Sequence, residues 1–84
     1  MLKLYRKNSF IINKLLIVGV GIVIEPKAIV YSNTFIGAGS TISIGAIIDH
    51  NVNIGDYCHI NAGAVIKTGM IISKGTKIGA GEIV

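Results

Sequence analysis

Every sixth residue of this chain, from position 24 to its last residue, is a β-branched aliphatic. Ile24, Val30, Ile36, Ile42, Ile48, Ile54, Ile60, Ile66, Ile72, Ile78 and Val84 form the row, eleven positions without a gap. Internal repeats outrank every other signal in a sequence, because a repeat dictates the architecture as a whole. Four residues after each member runs a second row: Ala28, Thr34, Ser40, Ala46, Val52, Cys58, Ala64, Met70, Thr76 and Glu82, mostly small or β-branched. Gly often follows the aliphatic directly, as in Ile36-Gly37, Ile54-Gly55 and Ile78-Gly79. Apolar residues do not recur at the three- and four-residue spacing of an amphipathic helix.

A strand alternates its side chains between two faces, so an aliphatic at one position and a small residue four later both point inward. Glycine supplies the backbone freedom to turn a corner between short strands. Stacking such units sets each aliphatic over its counterpart one coil earlier, and backbone hydrogen bonds then run between coils. The expected class is therefore all-β, a parallel β-helix. Val18 and Ile12 extend the row backwards in poorer surroundings, so 1–23 is expected as a basic lead-in strand segment and 24–84 as the β-helix.

Composition agrees. Of 84 residues, 18 are Ile and 11 are Gly, only 14% are charged, and both a helical bundle and disorder are disfavoured. The net charge of +4 is local: Lys3, Arg6, Lys7 and Lys14 precede any acid, whereas four lysines balance four acids from Ile24 onward. No basic run interleaved with aromatics exists, which argues against a nucleic-acid partner. Lys3 to Lys7 followed by Leu15–Ile24 has the outline of a signal peptide, but Asn13 and Lys14 interrupt the apolar run and no small-x-small cleavage site follows. Leu15–Ile24 also falls short of the about 20 apolar residues a spanning helix needs, so no membrane span is expected. A lone Cys58 permits no internal disulfide, in keeping with a reducing, cytoplasmic setting. It occupies the small inward slot, where burial is expected. Asp56 is read as a turn former and Tyr57 as a packing residue.

The chain has two histidines, His50 and His59, the residue type suited to proton transfer. His50 follows Ile48 by two positions and is expected to face outward. An imidazole so placed suits the removal of a proton from an attacking amine or hydroxyl. Its neighbour Asp49 is expected to point to the opposite face, as adjacent strand residues do.

The repeat resembles that of the hexapeptide-repeat acyltransferases, which reads aliphatic, Gly or similar, two free positions, small, and one more free position. The resemblance covers 24–84 and implies a left-handed β-helix with three hexads per triangular coil, here a little over three coils. Within it, Ile48-Asp49-His50 and Ile54-Gly55-Asp56-Tyr57-Cys58-His59-Ile60 resemble one branch. That branch comprises the sialic acid O-acetyltransferases and the N-acetyltransferases acting on nucleotide-linked amino sugars. Asn61-Ala62-Gly63-Ala64 and Ile78-Gly79-Ala80-Gly81 also match it.

This resemblance implies an acetyl-CoA-dependent acetyltransferase, with acetyl-CoA as co-substrate, no metal, and a homotrimer with clefts between helices. His50 would be the general base, with direct attack of the acceptor on the thioester. His59 would line the cofactor and substrate cleft. Three positions differ from the branch pattern. Asn51 stands where an acid follows the base, Ser43 replaces an Asn seven residues before it, and Thr68 replaces a Gly whose N–H approaches the thioester carbonyl, with Gly69 one place on. Asp49, Asn51 and Ser43 are thus the orienting or substrate-cleft candidates, and Thr68 and Gly69 join His59 on the cofactor side. An amide orients an imidazole but does not offset its charge.

The branch also carries an amino-terminal nucleotide-sugar domain and further coils, so the chain is expected to correspond to the middle of such an enzyme. The alternative reading is a β-helix scaffold fragment, impaired in catalysis or without it. A γ-class carbonic anhydrase, which shares this helix, needs three histidines, and an ice-binding solenoid needs threonines in one register, which Thr34, Thr41, Thr68 and Thr76 lack.

Overall fold

The computed structural model describes residues 3–5, 10–11 and 16–84, with side-chain surroundings from Gly19 onward. The chain winds as a parallel β-solenoid of a little over four turns, three of them within 24–84, and every regular element among the described residues is a strand. One sheet holds β1 (Lys3–Tyr5), β4 (Ile22–Ile24), β7 (Thr41–Ile42), β10 (His59–Ile60) and β13 (Lys77–Ile78). A second holds β2 (Phe10–Ile11), β5 (Ile29–Val30), β8 (Ile47–Ile48) and β11 (Val65–Ile66). The third holds β3 (Leu16–Val18), β6 (Thr34–Ile36), β9 (Asn53–Ile54) and β12 (Ile71–Ile72). We call these sheets A, B and C. The chain visits them in rotation, so the cross-section is a triangle, consistent with the left-handed β-helix that the repeat implies.

Pairing partners lie three hexads apart through the body, as in Ile24↔Ile42, Ile42↔Ile60 and Ile60↔Ile78. Three hexads therefore close one coil. The expected backward extension of the row holds at Val18, which pairs with Ile36. It shifts before that: Ile11, not Ile12, pairs with Val30, and Tyr5 pairs with Ile24, each one step longer than three hexads. One extra residue between β2 and β3 accounts for the change of step. Ile12 itself lies outside the described residues, as do Arg6, Lys7 and Lys14 of the basic cluster.

The six-step row is the core. All ten members from Ile24 to Ile78 are buried, and the seven inner positions of the small row, Ala28 to Ala64, are buried with them. Where that row carries a polar group, a corner carbonyl receives it. Thr34 Oγ1 donates to the Tyr31 carbonyl at 3.0 Å, and Ser40 Oγ donates to that of Gly55 at 2.9 Å while accepting the Cys58 N–H at 3.0 Å. Cys58 is buried as its slot requires.

The corners follow a rule finer than the sequence reading. The third residue after each aliphatic has positive φ in every hexad, from Gly21 through Lys27, Asn33, Gly39, Gly45, Asn51, Tyr57, Gly63, Gly69 and Gly75 to Gly81. It is the second central residue of a two-residue turn, with negative φ before it, as at Pro26-Lys27. Positive φ at that place is the mark of a type II turn, and it explains both the seven glycines there and Pro26 at the first central position. The Gly that directly follows the aliphatic serves another need. At Gly37 a Cβ would meet Asp56 and would stand 2.5 Å from the Gly55 carbonyl carbon, so the residue is small because coils pass so close. Tyr57 packs as expected, its ring lying over Gly39 where a Cβ would meet it, although its left-handed turn position leaves the residue 63% exposed.

Two substitutions separate burial from backbone conformation as sources of stability. Ile54→Ala leaves a void in the middle of the column and should cost about 2–5 kcal/mol in urea unfolding. Gly45→Ala has room for its methyl group, the nearest atom being 3.9 Å away, yet it should lose about 1–2 kcal/mol because φ there is +71°. Equal midpoints for Gly45→Ala and wild type would contradict the conformational origin of that glycine.

Candidate functional site

His50 stands at the corner between sheets B and C, at the first central position of the turn 49–52 rather than on a strand. That placement overturns the expectation that Asp49 points away. A turn does not alternate faces as a strand does, and Asp49 Oδ1 lies 2.6 Å from His50 Nδ1 and 2.7 Å from the His50 backbone nitrogen. An ionised carboxylate only accepts hydrogen bonds, so Nδ1 is the donor in this contact, and when the ring is neutral the lone pair sits on Nε2. The Tyr31 ring, one coil earlier at the same corner, stacks on the imidazole with centroids 4.8 Å apart and planes 26° from parallel. Both members of the pair remain accessible, with side-chain exposures of 50% for His50 and 38% for Asp49.

The contacts lower the Asp49 pKa from its ordinary value of 3.8. The His50 backbone N–H is the largest cause and the His50 side chain the next; slight desolvation opposes them, and hydrogen bonding to Thr68 and the His50 charge add to the lowering. Thr68 lies one coil above His50, so the corner column Tyr31, Asp49-His50, Thr68 spans three coils.

The other candidates divide between scaffold and site. Asn51 occupies the left-handed turn position, φ 60°, and accepts a 2.6 Å hydrogen bond from Asn33, its counterpart one coil earlier. It organises the corner and does not contact the imidazole through any hydrogen bond that the structure shows. Gly69 is the next residue in that column, and its N–H donates to the His50 carbonyl at 3.1 Å. The same bond recurs up all three corners, for example from Gly39 to Val20 and from Gly63 to Ile44. The Gly69 amide is thus part of the scaffold, whereas the Thr68 N–H belongs neither to that series nor to the turn-closing series.

Ser43 and His59 meet elsewhere. Ser43 follows β7 at the corner between sheets A and B and is buried; its Oγ lies 3.1 Å from Nε2 of His59, on β10 of sheet A. Sheet A is the side of the triangle opposite the His50 corner. The structure therefore brings together Asp49, His50 and Thr68, and separately Ser43 and His59, but does not join the two groups within one chain. Among the described residues no three of His, Cys, Asp and Glu gather as a metal site would require. No helix among them is long and apolar enough to cross a membrane.

Residues 33–68 match the family model of the bacterial transferase hexapeptide, six repeats. The matched stretch is two coils, and it contains Ser43, Asp49, His50, Asn51, His59 and Thr68. It supports the hexapeptide-repeat transferases as the general family and transferase chemistry as the general activity. No curated protein and no solved structure matches the chain significantly.

Sequence reading missed Tyr31. The signal was available once the coil length was known, since Tyr31 precedes His50 by one coil and one residue. It also missed the Asp49 contact, because the corner was read as strand.

The Asp49 shift has a pH consequence. A carboxyl whose folded pKa is depressed adds stability above its unfolded pKa, and that contribution fades as pH falls through the folded value. Carbonyl NMR should therefore find Asp49 titrating below 3.8 in wild type. In His50→Ala the midpoint should move back up, although the backbone N–H of residue 50 keeps part of the shift.

Proposed function

We propose that this chain forms the β-helix of an acetyl-CoA-dependent acetyltransferase that acetylates an amino sugar or a sialic acid. The observation that carries the reading is the Asp49–His50 pair, set on an exposed corner within the matched repeats with Nε2 as the basic nitrogen. Acetyl-CoA supplies an acetyl thioester. The chain's own part is to move a proton: the acceptor amine or hydroxyl gives its proton to His50 Nε2 as it attacks the thioester carbonyl. The C–S bond breaks and coenzyme A leaves as the thiol with that proton, while the Asp49 carboxylate holds the Nδ1–H and offsets the charge that forms on the ring. A carboxylate does this better than the amide of Asn51, so Asp49 takes the role that the branch pattern places after the base. The Thr68 N–H, one coil above, is the backbone donor suited to the developing oxyanion.

His59 and Ser43 enter the same cleft only if a neighbouring copy brings its sheet A to the His50 corner. A homotrimer with clefts between helices is the proposed assembly, and the cytoplasm the proposed location. One observation favours the second reading, a scaffold without catalysis: the corner spends Asn51 on Asn33 and the Gly69 N–H on its own backbone.

The deciding experiment incubates the chain with acetyl-CoA and either UDP-linked amino sugars or sialic acids, and detects acetylated product by mass spectrometry. Wild type should turn over, and His50→Ala should be slower by about 10²–10⁴-fold, the usual worth of a positioned general base. No product from wild type, together with no coenzyme A binding by calorimetry, would establish the scaffold reading instead.

A further inference from the structure

We infer that Tyr31 is a positioning residue for His50, holding the imidazole in a single plane and a single tautomer; its catalytic meaning rests on the general-base reading above. An imidazole that is half exposed has two ring torsions to fix. The Asp49 contact at 2.6 Å fixes one atom, Nδ1, and leaves the ring free to swing about the line of that hydrogen bond. The stack on Tyr31, 4.8 Å between centroids and 26° between planes, removes this remaining freedom by closing one face of the ring. Together the two contacts fix one ring nitrogen and one ring face.

Tyr31 is itself held from both sides. Its N–H donates to the Ile48 carbonyl of the next coil at 2.9 Å, and its carbonyl accepts the Thr34 hydroxyl at 3.0 Å. That hydroxyl also lies 3.3 Å from the Asp49 carbonyl, so one buried side chain ties the backbones beneath Tyr31 and Asp49 together. The register explains the contact. Tyr31 holds the first corner position in its coil, as Asp49 does in the next, and a ring rising from there reaches the residue after Asp49. Among the described residues this corner also holds Asp49 and, one coil above, Lys67 and Thr68, and the ring contact to His50 is the one from Tyr31.

The test uses the full chain, with long-range ¹H–¹⁵N NMR on the His50 ring and the acetyl-transfer assay in parallel. In wild type the ring nitrogens should show one neutral tautomer, protonated at Nδ1. Tyr31→Leu should average the two tautomer signatures and lower kcat about three- to tenfold, with KM unchanged, in line with what an aromatic pair contributes. Tyr31→Phe, which keeps the ring without the hydroxyl, should restore both readouts. Unfolding midpoints of the variants serve as the control for folding. An unchanged tautomer signature in folded Tyr31→Leu would overturn the positioning role, whatever the activity. A loosened ring in Tyr31→Leu with kcat unaltered would uphold the positioning and reject His50 as the base. In that way the two readings fail separately.

Discussion

The whole structure depends on the inter-coil hydrogen bond, and on the two directions in which the chain makes it. Strand amides donate to the coil above, as Ile29 does to Ala46 and Tyr31 to Ile48. Corner amides at the left-handed position donate to the coil below, as Gly39 does to Val20 and Gly69 to His50. A backbone buried between coils has no water to turn to, so every such group needs a partner of this kind. The positive φ at the third residue after each aliphatic aims the corner N–H downward. Lys27, Asn33, Asn51 and Tyr57 accept that conformation without being glycine.

Because each coil pairs only with its neighbours, stability builds up locally along the axis. The isoleucine column is continuous through the middle and thins at the last coil, where Ile72 and Ile78 keep 6% exposure against zero for Ile48 and Ile60. The His50 corner lies in the well-packed middle, on coils held from above and below. A rigid support of this sort lets an exposed side chain have a defined orientation. Asp49, Tyr31 and Thr34 all act on His50 through backbone that the ladder already holds in place.

Much of this was legible in residue spacing. The step of six named the buried row residue by residue, the small row after it, and the slot that buries Cys58. His50 was legible as an outward imidazole because it stands two places after Ile48. The surroundings of His50 were not, since each depends on the length of a coil. Tyr31 and Thr68 lie a full coil away along the chain in either direction, and Asp49 lies next to it but across a turn rather than along a strand. The role of Asn51 changed for the same reason: a left-handed corner position claims its backbone, and a neighbouring Asn one coil away claims its side chain.

The sequence by itself determined the class of fold, the core and the corners, because hydrophobic burial and left-handed turns both leave a mark at a period of six. Only the tertiary structure decided the site. Three hexads per coil put Tyr31 beneath His50 and Thr68 above it, while sending Ser43 and His59 to the far side of the triangle. That separation is a matter of rotation about the solenoid axis, which no pattern of neighbours along the chain records.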